Sequence, residues 1–185
     1  MSEHTNDERV TIRLGTPDDA EYLPDVEQSA GLSYLAIADL AWIAHDGNMP
    51  AATHRVHAAR GTEWVAETDS GKLVAFLCAE RCGDELHIWE LAVAQEWQRA
   101  GIGRRLIDAA CVHAQALGCK AVTLTTFSDV PWNAPWYARV GFELLNSDTI
   151  GERLAVAVKV ETERGLPRRC AMRRKVSRAT PPQRD

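Results

Sequence analysis

The junction ELHIWELAVAQEWQRAGIGRRL (85–106) constrains the fold of this chain more than any other feature. Residues 85–93 form an apolar, strand-like run that ends at Val93. Gly101 and Gly103 follow, and residues 102–117 then place apolar side chains at helical spacing. Because a helix N-terminus presents unpaired N–H groups and a partial positive charge, a helix that starts there predicts an anion site.

The patterns on either side of this junction predict a mixed sheet. Residues 10–16 form a first strand pattern, and residues 62–69 and 72–80 form a hairpin across a Ser-Gly turn. With residues 85–93 they make an antiparallel meander. Further strand patterns lie at 120–127, 142–145 and 170–176, and a short helix is predicted at 133–142, where Asn133 can cap it and Gly141 can end it. Helices alternating with strands after a meander predict an α+β fold with helices on the faces of the sheet.

Length and charge limit the classes of protein. The 185 residues suit one compact domain over 1–176, with residues 177–185 expected to be a disordered tail. The net charge of −5 and the lack of basic residues interleaved with aromatic ones disfavour nucleic-acid binding. No apolar run is long enough for a membrane span, and the polar N-terminus does not resemble a signal peptide, so we expect a cytoplasmic protein without a membrane partner.

Metal and disulfide chemistry are not indicated. The five cysteines form no CxxC pair, and the sequence has no His/Cys/Asp cluster with ligand spacing, so we predict no metal site.

Three kinds of phosphate-binding loop could follow the strand at 85–93. A P-loop requires Gly-Lys-Ser/Thr, but Gly103 is followed by two arginines. A dinucleotide-binding loop requires a third glycine where Leu106 stands, and it opens a parallel unit rather than following a meander. The remaining pattern is the Gln/Arg-x-x-Gly-x-Gly/Ala loop of coenzyme A-dependent acyltransferases, which Gln98, Gly101 and Gly103 match.

That loop, the preceding ELAV and the later Asn-x-x-x-Tyr-x-x-x-Gly-Phe (133–142) together resemble a GNAT-superfamily N-acetyltransferase. The resemblance implies the GNAT fold, a three-layer αβα arrangement around about seven strands that splay beside the fourth. It implies acetyl-coenzyme A as co-substrate, with its thioester and pantetheine at the backbone of 91–93 and its pyrophosphate at the amides of 99–104. The residues expected to contact coenzyme A are Leu91, Ala92, Val93, Gln98, Arg99, Ala100, Gly101, Ile102, Gly103, Arg104, Asn133 and Tyr137.

The chemistry of acetyl transfer to an amine requires a base, an oxyanion donor and an acid for the thiolate. The resemblance places Tyr137 near the coenzyme A sulfur, which makes it the candidate acid. Glu90 is the first candidate base, acting directly or through water. His87 is the second, and strand alternation puts it on the other face from Glu90 unless a bulge intervenes.

The acceptor is expected to be a small-molecule or peptide amine bound by residues 34–48, with Trp42 and His45, and by the segment around Trp132. The sequence does not choose among amines. Two alternatives to an acetyltransferase remain, namely a sensor that binds acyl-coenzyme A without turnover and an acyltransferase for a longer acyl chain. Relatives are often homodimers, so a homodimer is a further expectation.

Overall fold

The structure is a computed structural model that describes residues 8–176. In that range seven strands form one sheet in the order β1-β2-β3-β4-β5-β7-β6. The strands are β1 (Val10–Leu14), β2 (Glu63–Thr68), β3 (Leu73–Cys82), β4 (Glu85–Val93), β5 (Ala121–Phe127), β6 (Glu143–Leu144) and β7 (Arg169–Lys175). The helices are α1 (Leu23–Gly31), α2 (Ala51–Ala59), α3 (Ile102–Ala116), α4 (Ala134–Arg139) and α5 (Glu152–Glu163). Short 3-10 helices lie at Pro17–Glu21, Leu32–Ala36, Ala41–His45 and Gln95–Trp97.

The sheet is mixed. The pairs β1–β2, β2–β3, β5–β7 and β6–β7 are antiparallel, whereas β4 and β5 run parallel. This confirms the predicted α+β fold with a mixed, mostly antiparallel sheet of seven strands. The expected tail at 177–185 lies outside the described residues.

Backbone contacts group the chain into two compact units, and the prediction of one domain over 1–176 stays a prediction. Of the described residues, the first unit contains 8–79 together with Glu90–Ala110, and the second contains Glu80–Trp89 together with 111–176.

The core of the first unit lies on β2 and β3. Five of the six residues of β2 are buried, and β3 has six buried residues in succession. Continuous burial means that both faces of these strands are covered, so neither shows the clean alternation of a half-exposed strand. The side chains of this core with no exposed surface include Val65, Val74, Phe76, Leu77, Leu106 and Ile107.

In the second unit, β5 pairs with two different neighbours. Its first three residues, Ala121–Thr123, pair with Glu85–His87 of β4, and its full length pairs with β7. The pairing of β4 with β5 therefore ends at His87, although both strands continue. The core of this unit includes Leu86, Val122, Leu124, Leu154 and Met172.

Two helices have no apolar stripe that the sequence could reveal. α2 buries His54 and His57 instead of aliphatic residues, with His54 Nδ1 2.9 Å from Glu63 Oε1 and His57 Nδ1 3.1 Å from the Ala79 carbonyl oxygen. No sequence pattern predicted a helix at Ala51–Ala59.

The second is α5, which the sequence patterns did not predict. Leu154 is its one buried residue, while Val156 and Val160 are exposed. Polar contacts hold the helix instead, because Arg153 bonds Glu85 (2.8 Å) and Glu161 accepts hydrogen bonds from Thr125 and Arg169, each at 2.7 Å.

Candidate functional site

The predicted anion site has the expected local structure. β4 ends at Val93, a 3-10 turn occupies Gln95–Trp97, and α3 begins at Ile102. Between them Arg99 (φ 65°) and Gly101 (φ 77°) both adopt the left-handed conformation. Left-handed residues in such a turn direct successive backbone N–H groups toward one concave side, which is a common way to bind an anion.

Gly101 and Gly103 differ in backbone conformation. A Cβ on Gly101 would meet no atom within 4 Å, so the glycine is favoured there by its positive φ rather than by lack of space. Gly103 is buried in the first turn of α3 and does not need a left-handed backbone.

Two of the three arginines near the loop already have protein partners. Arg105 donates to the Val10 carbonyl oxygen (2.9 Å), which holds its guanidinium at β1. Arg104 lies 3.8 Å from Asp108 in an exposed i,i+4 pair that contributes little. Arg99 and Arg104 are both exposed, so their charges face solvent beside the loop.

The Gln98 side chain contacts the protein at both ends of its amide. Its Nε2 donates to the Val93 carbonyl oxygen (3.0 Å), and its Oε1 accepts from the Ser33 hydroxyl (3.2 Å). The backbone N–H of Gln95 donates to Ser29 Oγ (3.0 Å). Ser29 and Ser33 belong to no sequence motif, and their four-residue spacing on either side of Gly31 is the one local signal that they carry.

Glu90 lies in the first unit, where β4 leads into the loop. It is half-buried, and its Oε1 accepts the Leu91 backbone N–H (3.2 Å). Glu90 is thus a carboxylate at the predicted thioester-binding strand with access to solvent.

His87 lies on the same strand in the second unit and has a different environment. It is 1% exposed, and its Nδ1 lies 3.1 Å from Thr123 Oγ1. Burial, together with the nearby Arg153 guanidinium, lowers the pKa of His87 to about 4. His87 is therefore neutral at pH 7 and a weak proton acceptor.

Tyr137 and Asn133 both lie in the second unit, on and just before α4. Tyr137 is 9% exposed, and its ring makes edge-to-face contacts with Trp136 (5.0 Å between centroids) and Phe142 (5.5 Å). Asn133 occupies the predicted cap position, but its side chain makes no cap bond; its Oδ1 accepts from the Thr126 hydroxyl (2.9 Å). These contacts fix the orientation of both side chains.

The predicted acceptor segment, residues 34–48, contains the end of the 3-10 helix Leu32–Ala36 and all of Ala41–His45, and two hydrogen bonds connect it to α1. Gln28 Nε2 donates to the Ala44 carbonyl oxygen (2.6 Å), and Asn48 Nδ2 donates to the Pro24 carbonyl oxygen (3.0 Å). Trp42 and His45 are exposed on this segment, and Trp132 is exposed in the second unit.

Four of the five thiols are poorly suited to nucleophilic chemistry. Burial, followed by the charges of Glu63 and Glu90, raises the pKa of the Cys78 thiol well above its ordinary value. Burial is also the main cause of the raised pKa of the Cys82, Cys119 and Cys170 thiols. Because the thiolate is the reactive form, these residues are unreactive near pH 7.

Within residues 8–176, none of the helices is both long and apolar enough to cross a bilayer. In the same range, the His, Cys, Asp and Glu side chains form no group that could bind a metal ion.

Comparison with known proteins adds a family match and several structural neighbours. A sequence profile described as the acetyltransferase (GNAT) family matches residues 29–142, a range that includes the whole β4–α3 junction and Tyr137.

Solved structures of low sequence identity share the fold. The PaiA N-acetyltransferase of Thermoplasma acidophilum, in complex with coenzyme A, is 16% identical at a TM-score of 0.64, covering 90% of this chain and 99% of that one. The ribosomal-protein-S18-alanine N-acetyltransferase of Escherichia coli is 18% identical at a TM-score of 0.62, covering 96% and 100%.

A third neighbour is a longer protein. N-acetylglutamate synthase of Neisseria gonorrhoeae, with coenzyme A and N-acetyl-glutamate, is 18% identical at a TM-score of 0.66. The match covers 92% of this chain but 36% of the synthase. At these identities the neighbours establish the fold.

Proposed function

This chain belongs to the GNAT acetyltransferase family, and we propose that it transfers the acetyl group of acetyl-coenzyme A to a primary amine by direct attack in a ternary complex. Acetyl-coenzyme A is the co-substrate of this family. The observation that carries the proposal is the β4–α3 junction, where left-handed Arg99 and Gly101 precede the helix that starts at Ile102.

The backbone of the junction would bind the co-substrate. The amides of residues 99–104 would hold the pyrophosphate, since this turn combines a left-handed backbone with a helix N-terminus and exposed Arg99 and Arg104. The backbone of Leu91, Ala92 and Val93 would bind the pantetheine arm and the thioester. The Val93 carbonyl oxygen already accepts a hydrogen bond from Gln98, so Gln98 would act by shaping the loop.

Direct transfer is supported by the state of the cysteines. A route through an acyl-enzyme would need a nucleophile such as a thiolate. Burial raises the pKa of Cys78 well above its ordinary value and leaves the thiol protonated. A single displacement, in which the amine itself attacks the thioester, avoids that requirement.

The proton balance assigns a base and an acid. The neutral amine nitrogen attacks the thioester carbon, and a backbone N–H near Leu91–Val93 stabilises the oxyanion. The proton of the resulting ammonium passes to Glu90, directly or through water. The C–S bond then breaks, and the thiolate takes the hydroxyl proton of Tyr137.

Glu90 is favoured over His87 by their surroundings. Glu90 is half-buried and lies next to the residues expected to bind the thioester, whereas His87 is 1% exposed and its Nδ1 lies 3.1 Å from Thr123 Oγ1. Tyr137 is supported as the acid by the family pattern and by the aromatic contacts that fix its ring.

The proposal is tested by measuring release of coenzyme A from acetyl-coenzyme A with a panel of primary amines. The panel includes peptides that have a free N-terminal amine. We expect release with at least one acceptor. Tight binding of acetyl-coenzyme A without release for any acceptor would instead support a sensor without turnover. Faster release from a longer acyl-coenzyme A would support the alternative donor.

The cytoplasmic location and the homodimer are further proposals. Acetyl-coenzyme A is a metabolite of the cell interior, which supports the first. Exposed Leu144, Val156 and Val160 on the second unit are compatible with a homodimer. Light scattering of the purified chain at micromolar concentration would test the dimer, and a monomer mass would exclude it.

A further inference from the structure

Two serines connect the helix before the acceptor segment to the coenzyme A loop. Ser29 lies on α1, and its Oγ accepts the Gln95 backbone N–H at 3.0 Å. Ser33 lies on the following 3-10 helix and donates to Gln98 Oε1 at 3.2 Å. Both contacts reach the turn between β4 and α3 from sequence positions more than 60 residues away.

The Ser33 contact continues into β4. Gln98 receives the Ser33 hydroxyl on its Oε1 and donates from its Nε2 to the Val93 carbonyl oxygen (3.0 Å). One amide side chain therefore links Ser33 to the last residue of the strand expected to bind the thioester. A glutamine that uses both ends of its amide in this way has a defined orientation.

The serines lie on one continuous right-handed segment. Gly31 (φ −60°, ψ −25°) and Leu32 (φ −57°, ψ −23°) keep helical dihedrals, so α1 passes into the 3-10 helix Leu32–Ala36 without the break that Gly31 could have introduced. The same segment is joined to the next 3-10 helix, because Gln28 bonds the Ala44 carbonyl oxygen at 2.6 Å. The segment that carries the serines is thus continuous with residues 32–36 and hydrogen-bonded to Ala44.

We propose that Ser29 and Ser33 are positioning residues that couple coenzyme A binding at the loop to the order of residues 32–45, which overlap the acceptor segment 34–48. The inference rests on the proposed function, since it takes the loop as the coenzyme A site and residues 34–48 as the acceptor side. Coenzyme A that fixes the backbone of residues 95–101 also fixes the Gln95 N–H and the Gln98 amide. The serines then hold the acceptor segment in one position before the amine arrives.

Linkage gives the expected size of this coupling. A neutral hydrogen bond contributes about 1 kcal/mol, which corresponds to about fivefold in an equilibrium constant. The Ser33 bond is partly buried and the Ser29 bond is exposed, so the Ser33 bond contributes more. By reciprocity, an amine bound to the ordered segment would strengthen coenzyme A binding by the same factor.

Hydrogen exchange of the full chain, with and without saturating coenzyme A, tests the coupling without knowledge of the acceptor. In the wild type we expect coenzyme A to slow exchange in peptides from 94–104 and from 32–45. In Ser33→Ala the slowing at 94–104 should remain, while the slowing at 32–45 falls about fivefold, with a smaller loss in Ser29→Ala.

Two control variants separate positioning from general stability. Ser33→Thr keeps the hydroxyl and should preserve the response at 32–45. Ser70→Ala removes a hydroxyl of the same unit that bonds Thr68 (2.9 Å) in the β2–β3 turn, and it should leave both responses unchanged.

The outcomes distinguish this inference from the proposed function. Slowed exchange at 94–104 with no change at 32–45, or an equal response at 32–45 in wild type and in Ser33→Ala and Ser29→Ala, overturns the coupling alone. No slowing at 94–104 in the wild type overturns the coenzyme A site and the coupling with it.

Discussion

Two of the junctions that lead from a strand into a helix differ in whether their distinctive features belong to the backbone or to side chains. Between β4 and α3, the distinctive features belong to the backbone, with Arg99 and Gly101 in the left-handed conformation. Between β5 and α4, they belong to side chains, since Thr126 bonds Asn133 and the Tyr137 ring packs against aromatic neighbours. A backbone site tolerates most substitutions except where φ is positive, whereas a side-chain site depends on single functional groups.

Removal of the Tyr137 hydroxyl should have the largest effect, because proton transfer by a positioned acid contributes about 10²- to 10⁴-fold. We expect Tyr137→Phe to lower kcat at least about 100-fold while the KM for acetyl-coenzyme A changes little. Stopped-flow or steady-state release of coenzyme A measures this. The control is Tyr22→Phe, which changes an exposed tyrosine of the first unit and should leave kcat unchanged. Unchanged kcat in Tyr137→Phe would show that the second junction does not provide the acid.

The second largest loss of activity is expected from a substitution in β4, where Glu90 belongs to the first unit and His87 to the second. Glu90→Gln should lower kcat/KM by about 100-fold near pH 7 and remove the acidic limb of its pH profile, because the base is lost. His87→Gln should keep that limb, and Glu143→Gln serves as an exposed control. A profile that loses its acidic limb in His87→Gln would assign the base to His87.

His87 should instead affect stability. Its pKa is about 4 in the folded chain and about 6.5 when unfolded, so the unfolded state binds the proton first as pH falls. Its contribution to the free energy of unfolding is complete above pH 6.5 and is lost as pH falls toward 4, by up to about 3 kcal/mol.

Urea unfolding at pH 7 and pH 4.5 measures that loss. His87→Gln should have a smaller difference in the free energy of unfolding between pH 7 and pH 4.5 than the wild type, since glutamine does not titrate. An equal difference in both proteins would contradict a buried neutral His87.

The smallest effect tests the backbone junction. Gly101→Ala should raise the KM for acetyl-coenzyme A about tenfold, because a left-handed residue with a Cβ costs about 1–2 kcal/mol. Gly61→Ala is a matched control, since Gly61 also has a positive φ (68°) and no atom within 4 Å of an added Cβ. Both variants should lose similar stability in thermal unfolding, and only Gly101→Ala should lose affinity for acetyl-coenzyme A. A similar loss of affinity in both would show that the loop conformation has no specific role.

Prediction from the sequence succeeded where the signal was local. β4 has the predicted bounds, α3 ends one residue before the predicted Leu117, and β2, β3 and β5 lie within one or two residues of their predicted limits. These elements combine β-branched runs or an apolar stripe with glycine at their ends. α2 and α5 lack that pattern, since α2 buries histidines and α5 is held through Arg153 and Glu161.

By itself the sequence determined the strand, the glycine loop and the helix of the β4–α3 junction, because the φ of Gly101 and the spacing of apolar residues are properties of neighbouring residues. Only the tertiary structure decided the hydrogen-bond partners and the burial of Gln98, His87 and the two serines. Gln98 meets Ser33 across 65 residues and His87 meets Thr123 across 36. Partners so far apart in the chain set the burial, hydrogen bonds and pKa of a side chain, and no local pattern of residues contains them.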